Sequence, residues 1–236
     1  LAEAIAQLEE TEKILEQYRD RLEEKVELRT RELTLARDEL AKNLEKLRRI
    51  MKGIVLTIVR MVEAKDPYTA GHQQRVSKLA VAIAKKLGLP EDQVNCIETA
   101  SILHDIGKIN VPAEILTKPG KLDDIEFMLI KMHSATGYEI LKSIEFPWPV
   151  AEIVLQHHER MDGGGYPKGL KGDEISLEAL IIGVADVVEA MATHRPYRPS
   201  LGIEAALSEI TEGAGKRYDP DIVNACIALF EEGYEL

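Results

Sequence analysis

Apolar and polar positions follow two different rhythms along this chain. Residues 1 to 50 contain neither Gly nor Pro and are dense in Glu, Lys, Arg and Leu. One heptad register fits them throughout. Ile5, Val26, Leu33, Leu40 and Leu47 occupy one seam position, and Leu1, Leu8, Leu15, Leu22 and Ile50 occupy the other. A repeat of 3.5 residues predicts a coiled coil, in which a partner helix buries the seam. The expected partner is a second copy of the chain, in a parallel homodimer. Polar residues Glu12, Arg19, Arg29 and Asn43 interrupt the seam, so the coil is marginal, which suits a signal-transmitting helix better than a rigid stalk. The expected division is residues 1–50 as this helix and residues 51–236 as a separate domain.

From Met51 onward the pattern shortens to helices punctuated by Gly and Pro. Asp66-Pro67 breaks one helix, and helical spacing resumes from Gly71 to Leu87, ending at Gly88. Val94 to Ile106 reads as a central buried helix. After the Lys118-Pro119-Gly120 turn, Asp123 is a candidate N-cap for a helix through His133. Pro149 suits the first turn of a helix reaching about Arg160. The stretch from Asp162 to Gly172 holds five glycines and a proline, which predicts a loop with at most a short hairpin. Ser176 caps an apolar helix carrying Asp186, and a last helix covers about Pro220 to Phe230. No run of alternating strands is present, so the expected class is all-α.

Composition narrows the function. The 236 residues are 45% hydrophobic and 30% charged, a globular balance. No stretch approaches the roughly 18 to 20 uncharged apolar residues that a membrane span needs, and no signal peptide is visible. The net charge of −11 argues against a binder of nucleic-acid polymers, which carry basic faces. A small anionic substrate must then be met by metals or a few local cations. Cys96 and Cys226 lack metal or redox spacing and read as buried thiols of a cytoplasmic protein.

The histidines are not scattered. Five of the six, His72, His104, His133, His157 and His158, fall amid apolar neighbours. One such histidine is ordinarily a hydrogen-bonded core residue. Five buried imidazoles are costly unless their nitrogens are all paired, and a metal cluster pairs them together. Asp105 follows His104 directly, and Asp186 stands in an otherwise apolar helix with no Lys or Arg one turn away. A buried carboxylate needs a cation, and a bound ion supplies one. Histidine and carboxylate without thiolate suit iron, manganese or zinc, and a carboxylate can bridge two ions. Adjacent helical residues point about 100° apart, so a His-Asp pair on one helix meets an ion only from its edge.

The ordered motifs resemble the HD-GYP family, a branch of the HD-domain metal-dependent phosphohydrolases. The resemblance covers about Arg60 to Phe230. It is carried by Asp66-Pro67-Tyr68-Thr69-Ala70-Gly71-His72-Gln73-Gln74-Arg75-Val76, by Leu103-His104-Asp105-Ile106-Gly107-Lys108, and by Lys118-Pro119-Gly120 leading to His133. It continues through His157-His158-Glu159-Arg160 and Asp162-Gly163-Gly164-Gly165-Tyr166-Pro167 to Asp186 and Arg195-Pro196-Tyr197-Arg198. An isolated His-Asp pair is weak evidence, whereas the ordered set with Gly165-Tyr166-Pro167 is specific.

The resemblance implies an HD-domain helical bundle that hydrolyses cyclic di-GMP to pGpG or GMP at two divalent ions, iron or manganese. By resemblance, His72, His104, Asp105 and Asp186 hold one ion, and Asp105 bridges to a second held by His133, His157 and His158. Such ions, roughly 3.5–4 Å apart, clamp a phosphodiester and activate water. Lys108, one turn beyond His104 on the expected helix, would stabilise phosphate charge or protonate the leaving oxygen. Gly165, Tyr166 and Pro167 would line the cleft. Arg195 and Arg198 would take the second phosphate or a guanine edge, and Asp66 a guanine. Some members add a third ion through a Glu four residues before the first motif histidine. Tyr68 stands there instead, so a binuclear site is expected. His194 matches no ligand position and reads as a surface residue. The competing readings are a phosphodiesterase for 3′,3′-cyclic GMP-AMP and a non-catalytic effector that binds the dinucleotide or docks a partner. An upstream sensor or receiver domain is the expected source of the signal carried by the coiled coil.

Overall fold

A computed structural model describes residues 2–65, 70–193 and 200–236. Among the described residues there are nine α-helices: α1 (Ala2–Glu63), α2 (His72–Lys86), α3 (Glu91–Leu103), α4 (Ala113–Leu116), α5 (Asp124–Leu141), α6 (Val150–Gln156), α7 (Leu177–Ala192), α8 (Ile203–Gly213) and α9 (Pro220–Glu231). Two 3-10 helices, Ile106–Asn110 and Gly172–Glu174, complete them. The class is all-α. Where a hairpin was expected in the glycine loop, the structure has only one antiparallel bridge, between Asp162 and Lys171. No described helix is long and apolar enough to cross a membrane.

Contacts divide the chain into two units, Leu1–Ile54 and Val55–Leu236. In the first, the heptad seam is bare: Leu8, Leu15, Leu22, Leu33, Leu40 and Leu47 are all exposed, Leu33 at 71%. The expected change of pattern at Met51 does not end the helix. Its residues 55–63 belong to the second unit, where Val59 and Val62 join the core.

That core is aliphatic. Val76, Leu79, Ala80 and Ile83 recur at helical spacing on α2 and are fully buried, as are Ile181, Ile182, Ala185 and Val188 on α7. Each large aliphatic side chain so buried contributes about 1.5–3 kcal/mol. Helix α2 packs on α3 and α7, α5 on α6 and the first 3-10 helix, and α7 on α8. Cys96 and Cys226 are free and buried, and burial pushes both thiols up to about 12.

Several helix starts follow from their capping residues. Asp123 accepts from the Glu126 amide at 2.8 Å while Glu126 accepts from the Asp123 amide, a complete capping box. Glu126 also binds Lys118 at 2.6 Å, fastening the Lys118-Pro119-Gly120 turn to the cap. Ser176 caps α7 through the Ala179 amide, and Asp219 caps α9 ahead of Pro220. Pro149 is the N-cap of α6 rather than a residue of its first turn.

Two helix ends differ from expectation, and both shape the site. Helix α3 stops at Leu103 instead of continuing to Ile106. Asp105 takes φ −96° and ψ 6°, and a 3-10 helix follows. The cause is tertiary: Gly107 lies so close to α5 that a Cβ there would fall 1.9 Å from the His133 carbonyl oxygen. Helix α6 stops at Gln156 instead of Arg160, closed by the Glu159 amide on the Gln156 carbonyl at 2.7 Å.

Candidate metal centre

The early end of α6 places His157 and His158 in one cluster. On a continuing helix their side chains would diverge; here the rings lie 4.0 Å apart, tilted by 42°. His104 and Asp105 stand just beyond the end of α3. His72 arrives as the first residue of α2, His133 from the middle of α5 and Asp186 from α7. All seven side chains expected as metal ligands thus meet in one place.

They meet in two groups with a carboxylate between. His72, His104 and Asp186 converge on one side, and His133, His157 and His158 on the other, each group with ligand atoms within 4.8 Å of one another. His133 Nε2 lies 3.3 Å from His157 Nε2. Asp105 spans the groups. Its Oδ2 is 3.5 Å from His104 Nε2 and 3.7 Å from His72 Nε2, while its Oδ1 is 3.5 Å from His133 Nε2. His72 Nε2 also lies 3.2 Å from Asp186 Oδ1, on a side chain 13% exposed.

The imidazoles are oriented from behind. Nδ1 of His104, His133 and His157 donates to the carbonyl three residues earlier, Ser101, Ile130 and Val154, at 2.6 Å in each case. Each ring therefore turns Nε2 inward with its lone pair available. His104 Nε2 is buried without a hydrogen-bond partner among the described residues. A buried acceptor left unmatched costs about 1–3 kcal/mol. Inward lone pairs, two carboxylates and an orphaned nitrogen are the donor set of a metal centre, so the residues fit divalent ions.

Electrostatics agree. Burial lowers the pKa values of His133, His157 and His158, those of the last two far below the ordinary value, and neighbouring imidazoles add to this. They are neutral at pH 7, the form that ligates. Burial opposes the charged forms of Asp105 and Asp186. It is outweighed above all by Lys108 at Asp105, and by the hydrogen bond and charge of His72 at Asp186, so both stay well below the ordinary carboxylate range. The sign for stability follows. Between about pH 6.5 and the lowered native values, the unfolded chain takes up protons that the folded imidazoles refuse. The metal-free protein is expected to lose stability as pH falls below about 6.5, by up to about 1.4 kcal/mol per pH unit for each imidazole. Urea midpoints from pH 7.5 to 5.5 measure this, and a flat profile contradicts it.

Lys108 departs from its expected place on a continuous α-helix. It stands in the 3-10 helix and binds Asp105 Oδ2 at 2.7 Å, with 16% of its side chain exposed. Lys65 holds the end of that segment through the carbonyls of Ile109 and Val111, at 2.6 and 3.2 Å.

The glycine loop closes over the second group. Tyr166 stacks on His158 with centroids 4.7 Å apart and lies 6.5 Å from His133. Burial, then the charges of Asp186 and Asp105, raises its hydroxyl pKa far above the ordinary value. Gly165 is required by a close approach, since a Cβ would meet the backbone of Glu159 and Arg160 at 2.4 and 2.5 Å. Pro167 is exposed at the loop's outer side. The candidate contacts Asp66, Arg195 and Arg198, together with Tyr68 and His194, lie outside the described residues.

Among the buried acids that sequence reasoning missed are Glu159 and Glu189. Glu159 accepts from the Lys168 and Leu170 amides at 2.7 and 3.0 Å and so pins the loop. Glu189, fully buried on α7, receives Nδ1 of His72. The available signal was the one applied to Asp186: a carboxylate within an apolar helix.

A family model described as HD domain matches residues 57–222. The cyclic di-GMP phosphodiesterase response regulator RpfG of Xanthomonas campestris pv. campestris is 42% identical over 172 residues, covering 72% of this chain and 46% of that protein. The 3′3′-cGAMP-specific phosphodiesterase 3 of Vibrio cholerae is 38% identical over 186 residues, covering 79% of this chain and 40% of that protein. Among solved structures, Bd1817, an HDG"Y"P protein from Bdellovibrio bacteriovorus, shares the fold with a TM-score of 0.58 at 21% identity, over 68% of this chain and 51% of that one. The chain belongs to the HD domain family, within its HD-GYP branch. It spans somewhat less than half the length of these two curated relatives.

Proposed function

We propose that this chain is a metal-dependent phosphodiesterase that hydrolyses cyclic di-GMP to pGpG or GMP. The observation that carries the reading is Asp105, one oxygen turned to His72 and His104 and the other to His133. In this reading His72, His104, Asp105 and Asp186 hold one divalent ion. Asp105 bridges to a second, held by His133, His157 and His158. A pair of iron or manganese ions at such a site supplies charge neutralisation of a phosphodiester and activation of water.

The chain's own groups supply the rest. Lys108, beside Asp105, keeps a cation at the scissile phosphate and has a proton to give to the leaving oxygen. Tyr166, held against His158, and Gly165 form the wall against which the substrate lies, with Pro167 at its rim. Arg195 and Arg198 for the second phosphate, and Asp66 for a guanine, rest on the resemblance alone.

The substrate reading has one specific rival. The Vibrio cholerae relative named for 3′3′-cGAMP is 38% identical over 79% of this chain, so cyclic GMP-AMP is the second candidate. Anaerobic assay of Fe(II)- or Mn(II)-loaded protein with each dinucleotide, beside His104→Ala, decides among the readings. Faster linear product from cyclic di-GMP, lost in His104→Ala, is expected. Preference for cyclic GMP-AMP changes the substrate, and binding without product from either makes the chain an effector.

The bare seam of α1 supports a parallel homodimer through residues 1–50, which relays a signal from an upstream sensor or receiver domain. Leu33→Asp, at the most exposed seam position, is expected to shift the protein from dimer to monomer in sedimentation equilibrium. An unchanged dimer contradicts this pairing.

A further inference from the structure

Nδ1 of His72 has a different partner from those of His104, His133 and His157. Those three donate to a backbone carbonyl one helical turn earlier. His72 is the first residue of α2, behind Gly71 in the left-handed region at φ 74°. Its Nδ1 pairs instead with Oε2 of Glu189, which is fully buried and three residues beyond Asp186 on α7. The other carboxylate oxygen of Glu189 receives Arg75 Nε at 2.7 Å. Arg75 in turn reaches the Ala70 carbonyl at 3.2 Å. Both oxygens of Glu189 therefore face donors, one of them the ring of His72.

A carboxylate behind an imidazole fixes its tautomer and makes its other nitrogen a stronger donor than a backbone carbonyl does. We infer that Glu189, backed by Arg75, is a positioning residue for His72 that sets the affinity of the ion held by His72, His104 and Asp186, and leaves the other ion site untouched. This rests on the two-ion reading above. Glutamine at position 189 cannot reproduce the pairing, because its one carbonyl oxygen must serve both His72 and Arg75 while its amide brings a donor.

The test is anaerobic Mn(II) titration of metal-free protein against a competing chelator, comparing wild type, Glu189→Gln, Glu189→Asp and His72→Ala. In Glu189→Gln the equivalent that His72→Ala removes is expected to weaken by about 10–100-fold, with the other unchanged. Glu189→Asp, which keeps the charge but draws it back by one methylene, is expected to weaken the same equivalent by a smaller factor, and it decides the matter if Glu189→Gln does not fold. Equal weakening of both equivalents, or of neither, overturns the inference. Fewer than two equivalents in wild type overturns the two-ion reading itself, before any variant is compared.

Discussion

Asp105→Asn is expected to lower cyclic dinucleotide hydrolysis by at least roughly 10³-fold, with the helical content of the protein retained. The side chain is buried, and its two oxygens face opposite histidine groups. Asparagine keeps that shape but removes the negative charge and presents an NH2 donor to one of the groups. On the proposed reading, neither ion then keeps a shared anionic ligand. The substitution also removes the anionic partner from the 2.7 Å pairing of Lys108, so a purely electrostatic role for that lysine would leave part of the activity. Measured turnover with saturating Mn(II) checks the point. A loss of less than about tenfold would show that Asp105 is not the bridge.

The second large effect is on packing. Gly107→Ala is expected to destabilise the protein by about 3 kcal/mol or more, beyond the usual range for an added methyl group. The new Cβ would lie 1.9 Å from the His133 carbonyl oxygen and 2.6 Å from the Gly137 nitrogen. Both are backbone atoms, so no side chain can rotate away. The 3-10 helix must separate from α5, and His133 moves away from Asp105 as it does. Loss of stability and loss of metal binding should therefore appear together. Gly53→Ala in α1 is the control of opposite sign. Nothing lies within 4 Å of its added Cβ, and replacing a helical glycine stabilises by about 0.5–1 kcal/mol. Urea midpoints for the two variants distinguish steric conflict from a general effect of losing glycine.

Such contacts also explain what was legible in the sequence. Capping residues act within one turn, so Asp123 and Ser176 announced α5 and α7 before any packing was known. The heptad of residues 1–50 was equally plain, being a local repeat. Helix ends at Leu103 and Gln156 were not. Nothing directly after Leu103 or Gln156 in the sequence stops a helix; the close approach of Gly107 to α5 belongs to the folded molecule alone. His104 keeps helical angles, and the chain leaves the α-helical path only at Asp105. Helix α8 was missed because Gly202 offers it no side-chain cap, although Ile203, Ala206, Leu207 and Ile210 carry the helical spacing. Glu189 was passed over because an isolated Glu in a helix ordinarily reaches solvent. Its burial became evident only with His72 and Arg75 beside it.

The cluster itself was legible because its chemistry is unusual: five histidines and two aspartates with no thiolate. Their division into two groups came from the family resemblance and not from residue spacing, since it depends on which oxygen of Asp105 faces which ring. A two-ion centre requires that division. Electron paramagnetic resonance of the Mn(II)-loaded protein, with metal analysis on the same sample, tests it most directly. Two ions per chain giving one exchange-coupled dinuclear signal are predicted. A single ion, a third ion, or two ions with independent mononuclear signals would contradict a centre bridged by Asp105.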